Sequence, residues 1–205
     1  MPVETIEAPT VTRGGRRAPS RAPWIAFALA LAVAGGGAAW WVRYALPYIN
    51  WRPVAVPVDQ PVLIIRHDGK GDGRFGSPRS GGRMHRGVDL EAPVGTPVRV
   101  IRSGVVEITM LHRGLGKYIQ IRHDAELESI YAHLQTSLVT VGERVRQGQI
   151  IGTVGKTGNA RHRVIKPHLH LEVLRRGQPF DPAALGLAMV PPQEAIGNGQ
   201  AQGGQ

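Results

Sequence analysis

The sequence predicts a compact all-β domain, a glycine-rich antiparallel sheet or sandwich, preceded by one transmembrane helix. Three observations carry this. Six short runs alternate apolar and polar residues with period two. Glycine (27 residues) and proline (16 residues) recur between them without a fixed period, as tight turns require and collagen does not. Residues 24–42 carry no charge at all.

Residues 1–23 are polar, with Arg13, Arg16, Arg17 and Arg21 against Glu4 and Glu7, and read as a basic cytoplasmic tail. Residues 24–42, WIAFALALAVAGGGAAWWV, read as a signal-anchor helix. The run is long enough to cross ~30 Å of hydrocarbon. Trp24 stands at one end and Trp40 and Trp41 at the other, where interfacial aromatics belong. The preceding arginines predict an N-terminus inside and the remainder exported. A cleaved signal peptide is the rival reading, with Gly37-Ala38-Ala39 as its small-residue site. A buried soluble helix is the third, weakened by Gly35–Gly37.

Residues 43–74 contain Pro47, Pro53, Pro57 and Pro61 and read as a linker or extended lead-in. Strands are then expected at 98–101 (VRVI), 105–108 (VVEI), 118–123 (YIQIRH), 128–133 (ESIYAH), 149–154 (QIIGTV) and 168–173 (HLHLEV). VGERVRQGQIIGTV (141–154) reads as a hairpin pair with Gly142, Gly148 and Gly152 at its bends. No long amphipathic helix is expected between 61 and 178. Residues 183–205 read as a disordered tail by composition. The net charge is +10, and residues 43–205 hold 21 Lys/Arg against 13 Asp/Glu, a surface that favours a polyanion. The chain has no cysteine, which excludes a disulfide framework and a thiolate metal site.

The chemistry concentrates in KPHLHLEV, residues 166–173. Side chains at i and i+2 share a strand face, so His168, His170 and Glu172 point one way and Leu169, Leu171 and Val173 the other. A core takes the apolar set, which leaves the histidines facing a cleft or solvent. Solvent-facing histidines without function are common, and this pair alone decides nothing. HRGVDL (85–90) adds His85 and Asp89, four apart, and YAHL (131–134) adds His133. Neutral imidazole with one carboxylate is an ordinary zinc ligand set, and zinc hydrolases commonly use three protein ligands with one open position. The helical H-E-x-x-H arrangement is absent.

In this order the motifs GRMHRGVDLEAPVGTPVRVIRSGVV, GLGKYIQIRH, YAHL, VGERVRQGQIIGTVGKTG and PHLHLEV resemble the lysostaphin/LytM-type zinc metallopeptidases, of the duplicated hybrid motif fold, that cut bacterial peptidoglycan cross-links. The resemblance covers about Phe75 to Pro182 and implies a peptidase domain over 75–182. It implies that His85, Asp89 and His170 bind one Zn²⁺ and that His133 and His168 flank the metal without ligating it, serving as catalytic residues. It also implies metal-assisted amide hydrolysis, with the two free imidazoles managing protons. Peptidoglycan stems and cross-links are then the expected partner, and carboxylates of wall peptides, teichoic polymers or anionic lipid headgroups the candidate polyanions. Nucleic acid is not expected. The expected location is the bacterial inner membrane, single-pass, with the domain on the periplasmic or extracellular side. Both a direct D-Ala–diaminopimelate cross-link and a glycine bridge stay open as the bond cut.

Other readings remain beside this one. Glu172 either orients a histidine or is a surface glutamate, and Tyr131 reads as packing. Gly87 sits where a side chain would crowd the site. His67, His112 and His123 read as surface or edge residues. His162 lies in a bridge (GKTGNARHRVIKPHLH) that is longer and more basic than is common in the family, which bears on substrate preference. A non-catalytic activator of other wall hydrolases is one alternative function. A biotinyl/lipoyl-like adaptor domain is another; it leaves the five polar residues unexplained and lacks a lysine at the 141–154 hairpin.

Overall fold

A computed structural model describes residues 22–50, 53–124 and 126–192. The chain divides into two units at the Arg43–Tyr44 boundary. In the first, a 19-residue helix α1 runs Ala22–Trp40. Among the described residues no helix is long and apolar enough to cross a membrane. This overturns the expected span at 24–42, and with it the membrane-anchored, single-pass inner-membrane placement. Eleven of the residues in Ala22–Trp40 are Ala or Gly, which offer less apolar side-chain surface than Leu, Ile, Val or Phe. The expected basic tail at 1–23 lies almost wholly outside the described residues.

The second unit is built from strands: β1 (Leu63–Ile64), β2 (His67–Asp68), β3 (Gly71–Asp72), β4 (Pro78–Arg79), β5 (Arg83–Met84), β6 (Gly87–Glu91), β7 (Pro97–Arg99), β8 (Gly104–His112), β9 (Gly116–Arg122), β10 (Leu127–Ser137), β11 (Arg144–Val145), β12 (Ile150–Val154), β13 (His168–Arg175), β14 (Gln178–Phe180) and β15 (Met189–Val190). Each of the six expected segments falls on one of them. Nine strands form one sheet in the order β11-β8-β9-β10-β12-β7, with β13 attached to β10 and carrying β6 and β14. Two further two-stranded ladders, β2–β3 and β4–β5, are antiparallel, whereas β1 pairs β15 in parallel. The architecture is therefore a mixed-β domain around one branched sheet, not the purely antiparallel sheet or sandwich expected. A parallel pair needs a long crossover connection, and here the rest of the domain lies between its two strands.

The register of β13 follows from burial. Leu169, Leu171 and Val173 are fully buried in the main core with Leu90, Ile119, Tyr131 and Ile151. Burying each such aliphatic side chain stabilises by ~1.5–3 kcal/mol. A one-residue slip would turn all three outward, so the opposite face of β13 is committed to His168, His170 and Glu172. These three are buried as well, so of the two surroundings expected for the histidines, a cleft or solvent, open solvent is excluded.

Three further expectations are corrected. Segment 141–154 is not a hairpin, because β11 pairs β8 while β12 pairs β7; the bends at Gly142 and Gly148 send the two strands to different partners. The lead-in is not a free linker, since Val58 and Leu63 join the core. The chain also stays ordered past Pro182, through a 3-10 turn at Pro182–Leu185 and β15. Residues 193–205 lie outside the described ones.

Candidate metal centre

Asp89 and His170 face each other directly across the β6–β13 ladder. Opposite residues in an antiparallel pair share a face, and His170 Nδ1 lies 2.8 Å from Asp89 Oδ1. His85 sits just before β6, held by its backbone N–H to the Ser77 carbonyl and its own carbonyl to the Gly76 N–H, both at 2.8 Å. Its Nδ1 donates to the Arg74 carbonyl at 2.8 Å, so Nε2 carries the lone pair. That Nε2 is 3.1 Å from His170 Nδ1 and 3.2 Å from Asp89 Oδ1. Close approach of β6 to β13 depends on Gly87: a Cβ there would lie 2.4 Å from the Leu171 carbonyl oxygen and 2.9 Å from His170 Cε1.

Three buried ligand atoms thus converge, all within 4.8 Å of one another. Ligand atoms of a tetrahedral zinc ion, each ~2.0–2.2 Å from it, stand roughly 3.3–3.6 Å apart. The observed separations are slightly tighter. Lone pairs that close together repel unless a proton or cation sits among them. His170 also directs Nε2 toward Glu172 Oε2, 3.8 Å away, an arrangement that leaves Nδ1 for a metal. The residues therefore form a His/Asp/His cluster that can coordinate a single Zn²⁺. Without a metal, burial opposes charge on His170, but Asp89 and Glu172 outweigh it and raise its pKa to about 9. Burial likewise opposes charge on Asp89, yet the hydrogen bond and positive charge of His170 hold it well below the usual carboxylate range.

The second oxygen of Asp89 faces away from this cluster. Oδ2 accepts from Arg66 Nη2 at 2.9 Å and from Arg79 Nη2 at 3.4 Å. Arg66 is buried and also pairs with Asp68. Asp68 Oδ2 accepts the Lys166 backbone N–H at 3.0 Å, and the Lys166 carbonyl accepts from His168 Nδ1 at 2.7 Å. One polar chain therefore runs from Asp89 through Arg66, Asp68 and Lys166 to His168. Sequence reasoning missed both arginines. A charge closing the apolar run VLIIR was a usable sign of a buried, paired Arg66; Arg79 sits in a Gly/Ser-rich turn that offered none.

His133 reaches the site by a different device. Residues 127–132 of β10 pair with β13, and residues from Leu134 onward pair with β12. His133 stands at this fork, in a register break and with φ +62. Bulges re-aim side chains, and a left-handed non-glycine residue marks strain that the surroundings enforce. Its backbone N–H is tied to the Leu115 carbonyl at 2.8 Å. The ring lies 4.9 Å from that of His168 and 5.9 Å from that of His170, centre to centre. Nδ1 donates to the Thr157 carbonyl at 2.9 Å. Burial lowers the pKa of His133 to about 3, aided by His168 and His170. Burial also lowers that of His168, with Asp89 opposing. Both imidazoles are thus neutral at pH 7, each with Nδ1–H engaged and the Nε2 lone pair left over.

The structure thus brings together all five residues singled out from sequence: His85, Asp89, His133, His168 and His170. Glu172 is buried and paired with Arg86 at 2.9 Å, so it is not a surface glutamate. Tyr131 is core, with its hydroxyl accepting the Ile101 N–H. His67, His112 and His162 are exposed. His123 is not: it is buried between the Ser103 carbonyl and Ser129 Oγ, because its strand face continues the core row of Ile119 and Ile121.

Two imidazoles and a carboxylate converging on one point, with two neutral imidazoles beside them, define a zinc-metallopeptidase class of site on a branched β-sheet. Residues 83–182 match the model of Peptidase family M23. Residues 83–182 are accordingly a domain of that family. The chain is 47% identical over 105 residues to the peptidoglycan DD-endopeptidase ShyC of Vibrio cholerae serotype O1, a match covering 51% of this chain and 23% of that protein. Among solved structures it is similar to a zinc-containing peptidase from Vibrio cholerae, with 34% identity, TM-score 0.50, and coverage of 63% of this chain and 39% of that one. It is also similar to the catalytic domain of the prophage-encoded M23 protein EnpA from Enterococcus faecalis, with 27% identity, TM-score 0.50, and coverage of 62% and 95%. The chain spans about a quarter of the length of the first curated relatives it matches.

Proposed function

We propose that this chain is a zinc-dependent endopeptidase hydrolysing peptide cross-links of bacterial peptidoglycan, with residues 75–182 as its catalytic part. One observation carries the reading: His85, Asp89 and His170 present three converging ligand atoms, and two neutral imidazoles, His133 and His168, stand against them. In this reading the first three hold zinc, which supplies Lewis acidity toward a scissile carbonyl and acidity toward water. Asp89 offers only Oδ1, because Arg66 and Arg79 occupy Oδ2. His133 and His168 are the catalytic pair. Each keeps its Nδ1–H on a backbone carbonyl, so Nε2 takes the proton of the attacking water and returns it to the leaving amine. The DD-endopeptidase name of ShyC supports the substrate class.

The experiment is digestion of purified sacculi by the whole chain, followed by mass analysis of the products. His133→Ala and His168→Ala should keep stoichiometric zinc and lose cleavage by about a hundredfold or more in single turnover. His170→Ala should lose the metal itself. A parent that binds zinc but releases no peptide from wall would instead mark a non-catalytic activator.

A further inference from the structure

Two segments beside the site contain no acidic residue. The β8–β9 turn (111–117) carries Arg113 and Lys117, and the loop 155–167 carries Lys156, Arg161, Arg163 and Lys166. The segments are joined. The Asn159 N–H donates to the Gly114 carbonyl at 2.8 Å, and the Lys117 N–H to Thr157 Oγ1 at 2.9 Å. Among the described residues, Lys166 is the one member of these six cations in an ion pair, with Glu91 at 2.9 Å. Arg113, Arg161 and Arg163 are exposed. Elsewhere on the domain Arg122 is neutralised by Glu107 and Arg176 by Glu126, while Arg144, Arg146 and Arg175 lie against aromatic rings. The same loop holds the histidine pair at its two ends, through the Thr157 carbonyl on His133 and the Lys166 carbonyl on His168. The loop therefore begins and ends at the groups that would act on substrate, with Arg161 and Arg163, unpaired among the described residues, between them.

We infer that this joined rim is a recognition surface for an acidic peptide strand, with Arg161 and Arg163 engaging free carboxylates next to the bond presented to the site. The inference rests on the peptidase reading above. Guanidinium matches carboxylate geometry bidentately. Cations bordering the proposed hydrolytic centre meet the strand being cut before any other polyanion. Loop 155–167 then has two duties: its backbone fixes the imidazole tautomers, and its side chains select the strand.

The test uses the whole chain and two synthetic cross-linked peptides, one with free carboxylates and one with the same groups amidated. Binding is read by fluorescence anisotropy on zinc-stripped protein, so that no turnover intervenes. The parent should bind the free form about fivefold more tightly at low salt, as two exposed charge pairs permit. That advantage should shrink at about 0.5 M salt. Arg161→Ala/Arg163→Ala should abolish the preference and leave affinity for the amidated peptide unchanged. Arg161→Glu/Arg163→Glu should invert it. A parent that binds both peptides alike, or a double alanine variant that keeps the preference, overturns the inference. Turnover by zinc-loaded protein is scored separately: hydrolysis of neither peptide sinks the peptidase reading, while the anisotropy result still decides the rim.

Discussion

Arg66→Met removes the buried cation that Asp89 and Asp68 share. The side chains of Arg66, Asp68 and Asp89 are about 95% buried, so no water is at hand to replace the lost partner. Breaking a buried ion pair from one side typically costs ~3–5 kcal/mol. The lower end applies here. Asp89 Oδ2 keeps Arg79 at 3.4 Å, and Asp68 keeps the backbone N–H groups of Lys70 and Lys166. A loss of about 3 kcal/mol in a domain of this size lowers Tm by roughly 6–12 °C. The metal should feel it too. With Arg66 gone, Asp89 Oδ2 is held by Arg79 alone, at 3.4 Å, and loss of a group that orients a ligand commonly weakens metal binding ~10–100-fold. The assay is scanning calorimetry on zinc-stripped and zinc-loaded protein, with zinc affinity measured by chelator competition. A tenfold weaker affinity removes about 1.4 kcal/mol of the stabilisation that zinc adds to the loaded form. Arg122→Met is the control. It breaks an ion pair whose arginine side chain is 58% exposed, and should change stability by less than about 1 kcal/mol. If Arg66→Met melts within about 2 °C of the parent and binds zinc equally well, the buried network is not what holds Asp89.

Two further outcomes follow from individual residues. His133→Gly and His133→Ala should both be inactive, but the glycine variant should be more stable by about 1 kcal/mol, because φ +62 strains any residue with a Cβ; equal denaturant midpoints would show that the fork imposes no strain. His123 is held below its ordinary pKa by burial, with the Ser103 carbonyl only partly offsetting, so the fold requires its neutral form. Its contribution is complete above the unfolded value of about 6.5 and is lost as pH falls toward the lower folded value. His123→Gln should therefore flatten the decline of stability below about pH 6.5 in urea titrations, and parallel slopes would rule this out.

Period two was enough to locate six strand segments, because alternation is imposed by one buried face per strand and is visible locally, whereas β6, which carries Asp89, and most of the two-residue strands passed unseen. It was enough, too, to set His168 and His170 on one side of β13, since Leu169, Leu171 and Val173 claim the core. The chemistry of imidazole and carboxylate, with the family motifs, singled out the five residues that the fold gathers. Tertiary structure decided the rest. The fork in β10 at His133 arises where two strands compete for one edge, and no local pattern marks it. Arg66 meets Asp89 across 23 residues, and Asp68 meets the Lys166 backbone across 98. Pairings between segments so far apart depend on which strands become neighbours, not on the residues around either partner. The helix at 22–40 shows the same limit from the other side. Absence of charge is legible in sequence, whereas the transfer energy of an alanine- and glycine-rich segment depends on how much apolar surface its side chains present.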